Sequence, residues 1–278
     1  MDQFEDRMFA SSLHAFEAAL AGHVQIPDPK PARVLLALDG SAQDAVARLL
    51  AQWVAARTGA QVVERADLAT GRDVLAAAGE ASGVGLIVLP APFREEITLT
   101  RDASLGSGAD IVLAEALVPV LLARRPVESV EPCFSDALIP ITVATRETPH
   151  EVGWALALAA PEGRVEVLDV PDLTVIDEVK HLLGDTIDLG ALREEALKRA
   201  AKRDTAAIGE AAKAAGAARG LQVEVNVHVG EAPMEAFAKA TRGRTRFVVT
   251  ARPGPVGSPE FHRAHDLALR SDGPILFV

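Results

Sequence analysis

The most constraining feature of the sequence is an apolar run that ends in an acid and a helix start. Residues 33–41 read RVLLALDGS, with five apolar residues before Asp39 and with Gly40 and Ser41 directly after it. A continuous apolar run that ends in a turn predicts a strand buried on both faces, as in a parallel sheet. Ser41 suits the N-cap of a helix that extends to about Arg57. Because open α/β sheets bind ligands at the carboxyl ends of their strands, Asp39 marks a candidate site.

A similar stretch occurs in the second half of the chain. Residues 137–145 read ALIPITVAT, an apolar run without the acid. Both halves alternate strand and helix patterns, and each closes on an apolar strand that follows a proline, within 118–123 and 274–278. Alternating strands and helices predict parallel sheets with right-handed crossovers, and the repeated order predicts an internal duplication. We therefore expect an α/β protein with two tandem doubly wound domains of three layers, at residues 33–124 and 136–278.

The periodicity predicts further elements in each half. In the first half we expect strands at 61–64, 84–89 and 119–122, with helices at 71–81 and 109–117. In the second half we expect strands at 164–170, 223–229, 247–250 and 274–278, with helices at 150–159, 192–219, 234–241 and 262–270. Residues 124–133 form the predicted link between the halves.

The N-terminal residues 1–25 form a separate unit in this prediction. Apolar residues recur there at helical spacing, which predicts an amphipathic helix: Phe4, Met8, Phe9, Leu13, Phe16 and Leu20. Two interpretations stay open, because this helix could pack on its own domain or dock on a second copy in a homodimer. The proline-rich stretch 24–32 that follows predicts a linker without regular structure.

Composition and charge exclude several classes of function. The formal net charge is −11, which argues against a nucleic-acid partner bound through its phosphates. The single cysteine, Cys133, rules out an internal disulfide framework and is typical of a reducing compartment. We find neither a targeting segment nor an apolar run near ~20 residues, so we expect a soluble, cytoplasmic protein without membrane contact.

Three features together resemble the universal stress protein family. The first is the opening strand of each half, and the second is the strand-to-helix segment VHVGEAPMEAFAKA at 227–240. The third is the end of each half, where a strand, a loop and a helix lead to a final strand that follows a proline. The resemblance implies a tandem pair of adenine-nucleotide-binding-type domains. It also implies that the first half lacks one strand–helix pair, with residues 61–82 as the family's third strand and third helix. Last strands in this family commonly cross-pair, which implies an intrachain pseudo-dimer of the two halves.

The resemblance also implies a nucleotide site in the first half. Asp39, Gly40 and Ser41 match the acid-containing end of the first strand, and Gly106, Ser107 and Gly108 match the glycine and hydroxyl residues at a later helix start. The expected cofactor is ATP, ADP or AMP, with magnesium. Pro90 and Phe93 replace two family glycines, which weakens the match because backbone amides must approach the phosphates closely. In the second half the acid is replaced at Ala144 and Thr145, and Ala251 replaces the first glycine, so no site is expected there.

Other candidate residues leave alternatives open. Asp39 either caps the next helix or contacts a ligand, and Gly106–Gly108 either only starts a helix or binds an anion. Arg94 and Arg101 either close over a phosphate or lie in a solvated loop. We interpret His262 and His265 as a surface pair rather than a metal site, and the basic cluster Arg242, Arg244 and Arg246 as surface charge.

Three functional hypotheses follow. The first is a regulatory stress-response protein that binds an adenine nucleotide at the degenerate first-half site. The second is a scaffold or interaction module of the same fold that binds no nucleotide. The third, which we favour least, is a slow nucleotide hydrolase, since no catalytic triad, carboxylate pair or metal-ligand spacing stands out and no catalytic residue is assigned.

Overall fold

The computed structural model of the chain describes residues 24–94, 105–142, 148–171, 205–228 and 232–278. The nine strands in these ranges form one continuous sheet with helices on both faces. The predicted α/β fold class is confirmed. Residues 1–23 of the predicted N-terminal unit, residues 192–204 of the helix predicted at 192–219, Arg101, and positions 144 and 145 lie outside the described residues.

The first half supplies four parallel strands. They are β1 (Arg33–Ala37), β2 (Gln61–Arg65), β3 (Val84–Pro90) and β4 (Val120–Ala123). Three helices connect them: α1 (Asp44–Thr58), α2 (Gly71–Glu80) and α3 (Ser107–Glu115). These bounds follow the apolar runs and helical patterns of the sequence closely, because β1, β3 and β4 are buried apolar runs with turn residues at their ends, whereas β2 at the sheet edge is only half-buried.

The second half supplies five strands that are parallel to one another. They are β5 (Asp136–Ile141), β6 (Arg164–Asp169), β7 (Gln222–Val227), β8 (Phe247–Thr250) and β9 (Ile275–Phe277). Its helices are a single turn α4 (Glu131–Phe134), α5 (Thr148–Leu158), α6 (205–217), α7 (Pro233–Thr241) and α8 (Pro259–Arg270). The turn α4 lies in the stretch that the sequence analysis treated as a plain link.

The strand order of the whole sheet is β2-β1-β3-β4-β9-β8-β5-β6-β7, so the two halves meet edge to edge in its middle. β4 pairs with β9 in antiparallel register, with Val120 opposite Phe277 and Leu122 opposite Ile275. All other strand pairs are parallel. Since an unpaired strand edge is a template for aggregation, this junction protects both closing strands.

The position of β2 differs from the sequence prediction. The first half does have one strand fewer than the second, but β2 lies directly beside β1, just as β6 lies directly beside β5. It therefore takes the place of a second strand and not of a third one. Residues 61–65 follow α1 after a turn at Gly59, whose φ of +77° suits glycine. Because this connection is short, it brings the chain back to the nearest free edge of the sheet, beside β1.

Each face of the sheet carries its own apolar core. α1, α5 and α6 cover one face, and α2, α3, α7 and α8 cover the other. On the first face three aromatic rings cross from one half to the other: Trp53 stacks on Phe134 with centroids 5.0 Å apart, and Phe134 contacts Phe247 at 4.6 Å. The Trp53 indole N–H also donates to the Leu158 carbonyl oxygen at 2.8 Å. Among the helices described, none is long and apolar enough to cross a membrane.

Candidate ligand-binding site

The end of β1 forms a closed network of hydrogen bonds. The Asp39 carboxylate accepts the Ser41 N–H at 2.9 Å and the Arg94 N–H at 2.9 Å. The Asp44 carboxylate accepts the N–H groups of Asp39 at 3.1 Å and Gly40 at 2.9 Å. Gly40 has a φ of +83°, which turns the chain so that both amides face Asp44. Both carboxylates at this strand end therefore bind the protein's own backbone.

The predicted N-cap at Ser41 is wrong. α1 begins at Asp44, and its N-cap residue Gln43 makes no side-chain cap hydrogen bond. The Ser41 hydroxyl oxygen is buried without a hydrogen-bond partner. Asp44 in the first helical turn stabilises this helix start instead, both through the two amides it binds and through its negative charge near the positive end of the helix dipole.

A short segment after β3 occupies the space between the two groups predicted to bind a nucleotide. Phe93 is 1% exposed. Its carbonyl oxygen would lie 3.0 Å, and its ring Cδ1 3.2 Å, from a Cβ added to Gly108. The Arg94 side chain crosses to the loop after β2, where it donates to the carbonyl oxygens of Ala66 and Leu68 at 2.8 Å each. Residues 90–94 thus bridge Asp39 on one side and Gly108 on the other.

The glycines at the start of α3 have structural uses. Gly106, at the N-cap, has a φ of +86°, a conformation that L side chains rarely adopt. Gly108 packs against the start of α2 so closely that a Cβ on Gly71 would lie 2.3 Å from the Gly108 carbonyl oxygen. Ser107 is exposed. Close helix packing is therefore sufficient to explain Gly108, and a turn is sufficient to explain Gly106.

Replacing Asp39 by alanine tests which role the carboxylate has. If the role is structural, the loss of two charge-assisted hydrogen bonds should lower the free energy of unfolding by about 1–3 kcal/mol. Denaturant unfolding measures this change, and Asp67→Ala, at an exposed position paired with Arg65, is the matched control with a smaller effect. Unchanged stability together with weakened nucleotide binding would instead support the ligand role.

The second half contains an open cavity at the carboxyl ends of β5 and β8. Its volume is about 260 Å³. β5 lies between β6 on one side and β8 on the other. The strands that follow β5 in the chain are first added on the β6 side and then on the β8 side, so the cavity lies where the strand order reverses. Five elements contribute to the lining, which consists of Pro140, Ile141, Thr142, Thr148, Glu151, Met234, Phe237, Thr250, Ala251, Arg252, Glu260, Arg263, Ala264 and Leu267.

The cavity combines apolar walls with charged groups. Phe237 and Leu267 face it from α7 and α8, and both are almost fully buried. Two arginines and two glutamates complete it, and Arg263 lies 3.4 Å from Glu260. The arrangement can hold a flat apolar group between the helices and place a guanidinium group near an anionic end.

Arg252 connects this cavity to the first half of the chain. Its backbone N–H donates to the Val278 carbonyl oxygen at 2.9 Å, and its side chain donates to the carbonyl oxygen of Ala116, at the end of α3. The first half therefore holds one of the cavity's two arginines in place.

The start of α8, beside the cavity, is capped by its own residues. The Ser258 hydroxyl accepts the Phe261 N–H at 3.1 Å, and Pro259 occupies the first helical turn, where its missing N–H costs nothing. Glu260 adds a negative charge to the positive end of this helix. The ring of Phe261, in the first turn of this helix, is buried in the protein. This helix start is thus less suited to a triphosphate than a glycine-lined one.

The sequence analysis missed this cavity because it compared motif residues only. Ala251 and the missing acid led to the expectation that the second half has no site. A cavity depends instead on the side chains that line it, and here Met234, Phe237 and Leu267 come from helices whose packing no local motif reveals. The recurrence of a strand, a loop and a helix at 247–270 was the available signal.

Two further candidates for metal-binding or reactive chemistry are His265 and Cys133. His265 lies 3.7 Å from the Asp110 carboxylate of α3, and its ring stacks on Phe261. Burial raises the pKa of the Cys133 thiol to about 11, so this cysteine stays protonated and unreactive at neutral pH. Within the described ranges, no group of three or more His, Cys, Asp and Glu side chains could hold a metal ion.

Comparisons with known proteins identify the fold. No family model and no curated protein matches the chain. Among solved structures, a universal stress protein from Archaeoglobus fulgidus DSM 4304 has a TM-score of 0.54 at 12% identity, covering 89% of this chain and 96% of that one. A protein from Pseudomonas aeruginosa UCBPP-PA14, provisionally assigned to the universal stress proteins, has a TM-score of 0.52 at 14% identity, covering 94% of both chains. At these identities the likeness concerns the fold alone: the chain has the fold of the universal stress proteins.

Proposed function

We propose that the chain is a regulatory binding protein of the universal stress type, and that its ligand site is the cavity at the ends of β5 and β8. The single observation that carries this proposal is the position of that cavity, where the strand order of the second half reverses. Ligands of open α/β sheets bind at such points. The proposal differs from the first sequence hypothesis in the half that it assigns to the ligand.

The proposed ligand is an adenine nucleoside or nucleotide. An aromatic base suits the apolar walls formed by Phe237 and Leu267, and Arg252 or Arg263 suits a phosphate at the mouth. The volume of about 260 Å³ lies just under the usual range for small-molecule pockets, so a nucleoside or its monophosphate fits better than an enclosed triphosphate. The proposal covers binding of this ligand and does not include its hydrolysis.

The first half is proposed to be a structural partner of the second. The contacts of Asp39, Phe93 and Gly108 support this role, because the groups expected to meet a nucleotide bind the protein itself. The β4–β9 pairing and the Arg252 contact with Ala116 support an intrachain pseudo-dimer. Nucleotide binding in the first half, with ATP, ADP or AMP and magnesium, is kept as a second candidate, favoured by the buried Ser41 hydroxyl that has no partner. A homodimer through residues 1–25 is a further proposal, and residues 1–23 of this segment lie outside the described residues.

A substitution at the cavity wall tests the main proposal. Ala251 lines the cavity but is itself exposed, so Ala251→Trp should fill the mouth without disturbing the core. In calorimetric titrations with adenosine, AMP, ADP and ATP plus magnesium, we expect the variant to bind at least about tenfold more weakly than the unaltered chain, a loss of ~1.4 kcal/mol. The matched control is Val256→Trp, in the same loop, where the residue is 64% exposed and does not line the cavity.

The outcomes separate the candidates. Bound nucleotide also stabilises the native state, so the melting temperature of the unaltered chain should rise with ligand concentration. Nucleotide binding that persists in Ala251→Trp but is lost in Asp39→Ala would instead assign the site to the first half. A melting temperature that no nucleotide changes at millimolar concentration would leave the scaffold function as the better account.

A further inference from the structure

A second concave surface, here called the basic groove, lies beside β6 and α7. Its volume is about 360 Å³, and it shares no lining residue with the cavity at the ends of β5 and β8. β6 contributes Arg164, Glu166 and Leu168, α7 contributes Lys239, and the residues before β8 contribute Arg244 and Arg246.

The backbone geometry explains why these side chains meet. Alternate residues of a strand point to the same face, so positions 164, 166 and 168 form one row about 13 Å long. The α7 residues Ala236 and Ala240 are one turn apart and, like Lys239, they line the groove. Small alanine side chains at these positions leave room between the helix and the sheet. The groove therefore has an apolar wall and charged residues along its length.

Basic side chains outnumber acidic ones in the groove, although the whole protein is acidic, with a net charge of −11. Four arginine and lysine side chains line it together with Glu166, and Asp136 and Glu224 lie 2.7 Å from Arg246 and Arg164. The sequence analysis interpreted Arg242, Arg244 and Arg246 together as surface charge, which is wrong for Arg246, because this side chain is only 1% exposed. It is buried because β8 begins at the next residue, in the middle of the second half's sheet.

Arg246 is rigidly held but not fully hydrogen-bonded. One terminal nitrogen lies 2.7 Å from the Asp136 carboxylate and 2.9 Å from Glu166, and the other donates to the Ala240 carbonyl oxygen at 3.3 Å. Its Nε is buried without an acceptor, and so is the Nε of Arg164. Buried donors without acceptors are rare and costly, so the hydrogen-bonding capacity of these two guanidinium groups is not fully used by the described residues.

We infer that the basic groove binds a small organic phosphate, namely a phosphate monoester with an apolar body. A phosphate group offers several acceptor oxygens and suits a site with several fixed guanidinium donors. The exposed Arg244 supplies a further donor, and Leu168 with the two alanines of α7 supplies the surface for the apolar body. This inference does not depend on the proposed nucleotide site, because the two surfaces share no residue.

Calorimetric titration with phenyl phosphate tests the inference, with inorganic phosphate and phenol as partial probes. All titrations are made at constant ionic strength. We expect saturable binding of phenyl phosphate, weaker binding of inorganic phosphate and none of phenol. Arg244→Gln should weaken the binding of phenyl phosphate at least about tenfold, because it removes a charged donor from the groove. Arg242→Gln is the matched control, since Arg242 is an exposed arginine of the same loop that does not line the groove, and it should change the affinity by less than about twofold.

The inference is overturned by the absence of saturable binding, by equal effects of Arg242→Gln and Arg244→Gln, or by phenol binding as strong as that of phenyl phosphate. The cavity variant Ala251→Trp separates the two sites. Phenyl phosphate binding that persists in this variant supports the groove, whereas binding lost in it would assign the ligand to the cavity and contradict the inference.

Discussion

Replacing Phe134 by alanine is expected to lower the free energy of unfolding by about 3–5 kcal/mol. The side chain is 0% exposed and lies between two other rings, parallel to Trp53 at 5.0 Å and tilted against Phe247 at 4.6 Å. The substitution removes apolar contacts and leaves a cavity that rigid neighbours fill only in part. Both ring contacts, each worth ~0.5–1.5 kcal/mol beyond burial, are lost as well.

Denaturant unfolding of the whole chain measures this effect. Phe134→Leu should cost less, because it keeps most of the volume. The control is Leu117→Ala, since Leu117 is 90% exposed and loses almost no buried surface. A loss below about 1 kcal/mol for Phe134→Ala would show that the three rings do not form a common core between the halves.

Replacing Arg246 by methionine is expected to destabilise the protein by about 3–5 kcal/mol. The variant keeps the volume of the side chain but removes the charge that lies 2.7 Å from Asp136 and 2.9 Å from Glu166. Two carboxylates are then left in or near a buried site without their partner. By contrast, Arg270→Met removes an exposed arginine 3.5 Å from Asp266 and should cost less than about 1 kcal/mol.

The cost of Arg246→Met should depend on pH. Burial alone would raise the pKa of Glu166, but hydrogen bonds from Asn226 and Arg246, with the charges of Arg246 and Arg164, hold that pKa below its ordinary value of 4.5. A carboxyl with a lowered folded pKa contributes stability above about pH 4.5, and this contribution is lost as the pH falls through the folded pKa. The difference between the two proteins should therefore be largest near neutral pH and shrink in acid, where a protonated Glu166 needs no cation.

Unfolding curves at a series of pH values measure this dependence. Adding Glu166→Leu to Arg246→Met provides a further check, because removal of both partners should cost less than the sum of the single changes. Additive effects, or a difference that does not change with pH, would contradict the assigned ion pair.

The sequence predicts most of this fold because most of its strands are buried apolar runs. RVLLA at β1 and ALIPI within β5 have no polar residue in the middle and can only form interior strands of a covered sheet. The position of β2 was not predictable in the same way, since pairing depends on which sheet edge is free and not on the residues of the strand. The N-cap of α1 was mispredicted for a local reason, because the turn at Gly40 brings two backbone amides to the Asp44 carboxylate, and the helix begins at Asp44 and not directly after Ser41.

The candidate sites were harder to predict than the fold. Pro90 and Phe93 in place of glycines did indicate a weakened first-half site, and Phe93 is indeed buried against Gly108. The second-half cavity and the buried guanidinium of Arg246 left weaker signals, because both depend on contacts between residues far apart in the sequence. Arg246 differs from Arg242 and Arg244 only in being next to a strand.

Because β4 and β9 belong to one chain, their pairing does not depend on the protein concentration. Only three residue pairs join the two strands, which would be a small contact between separate molecules. Within one chain, however, the partner strand is always present at an effective concentration on the order of millimolar or more. The halves therefore meet in a fixed ratio of one to one however dilute the protein is. One half can then lose its own ligand and still be retained by the other as part of its framework.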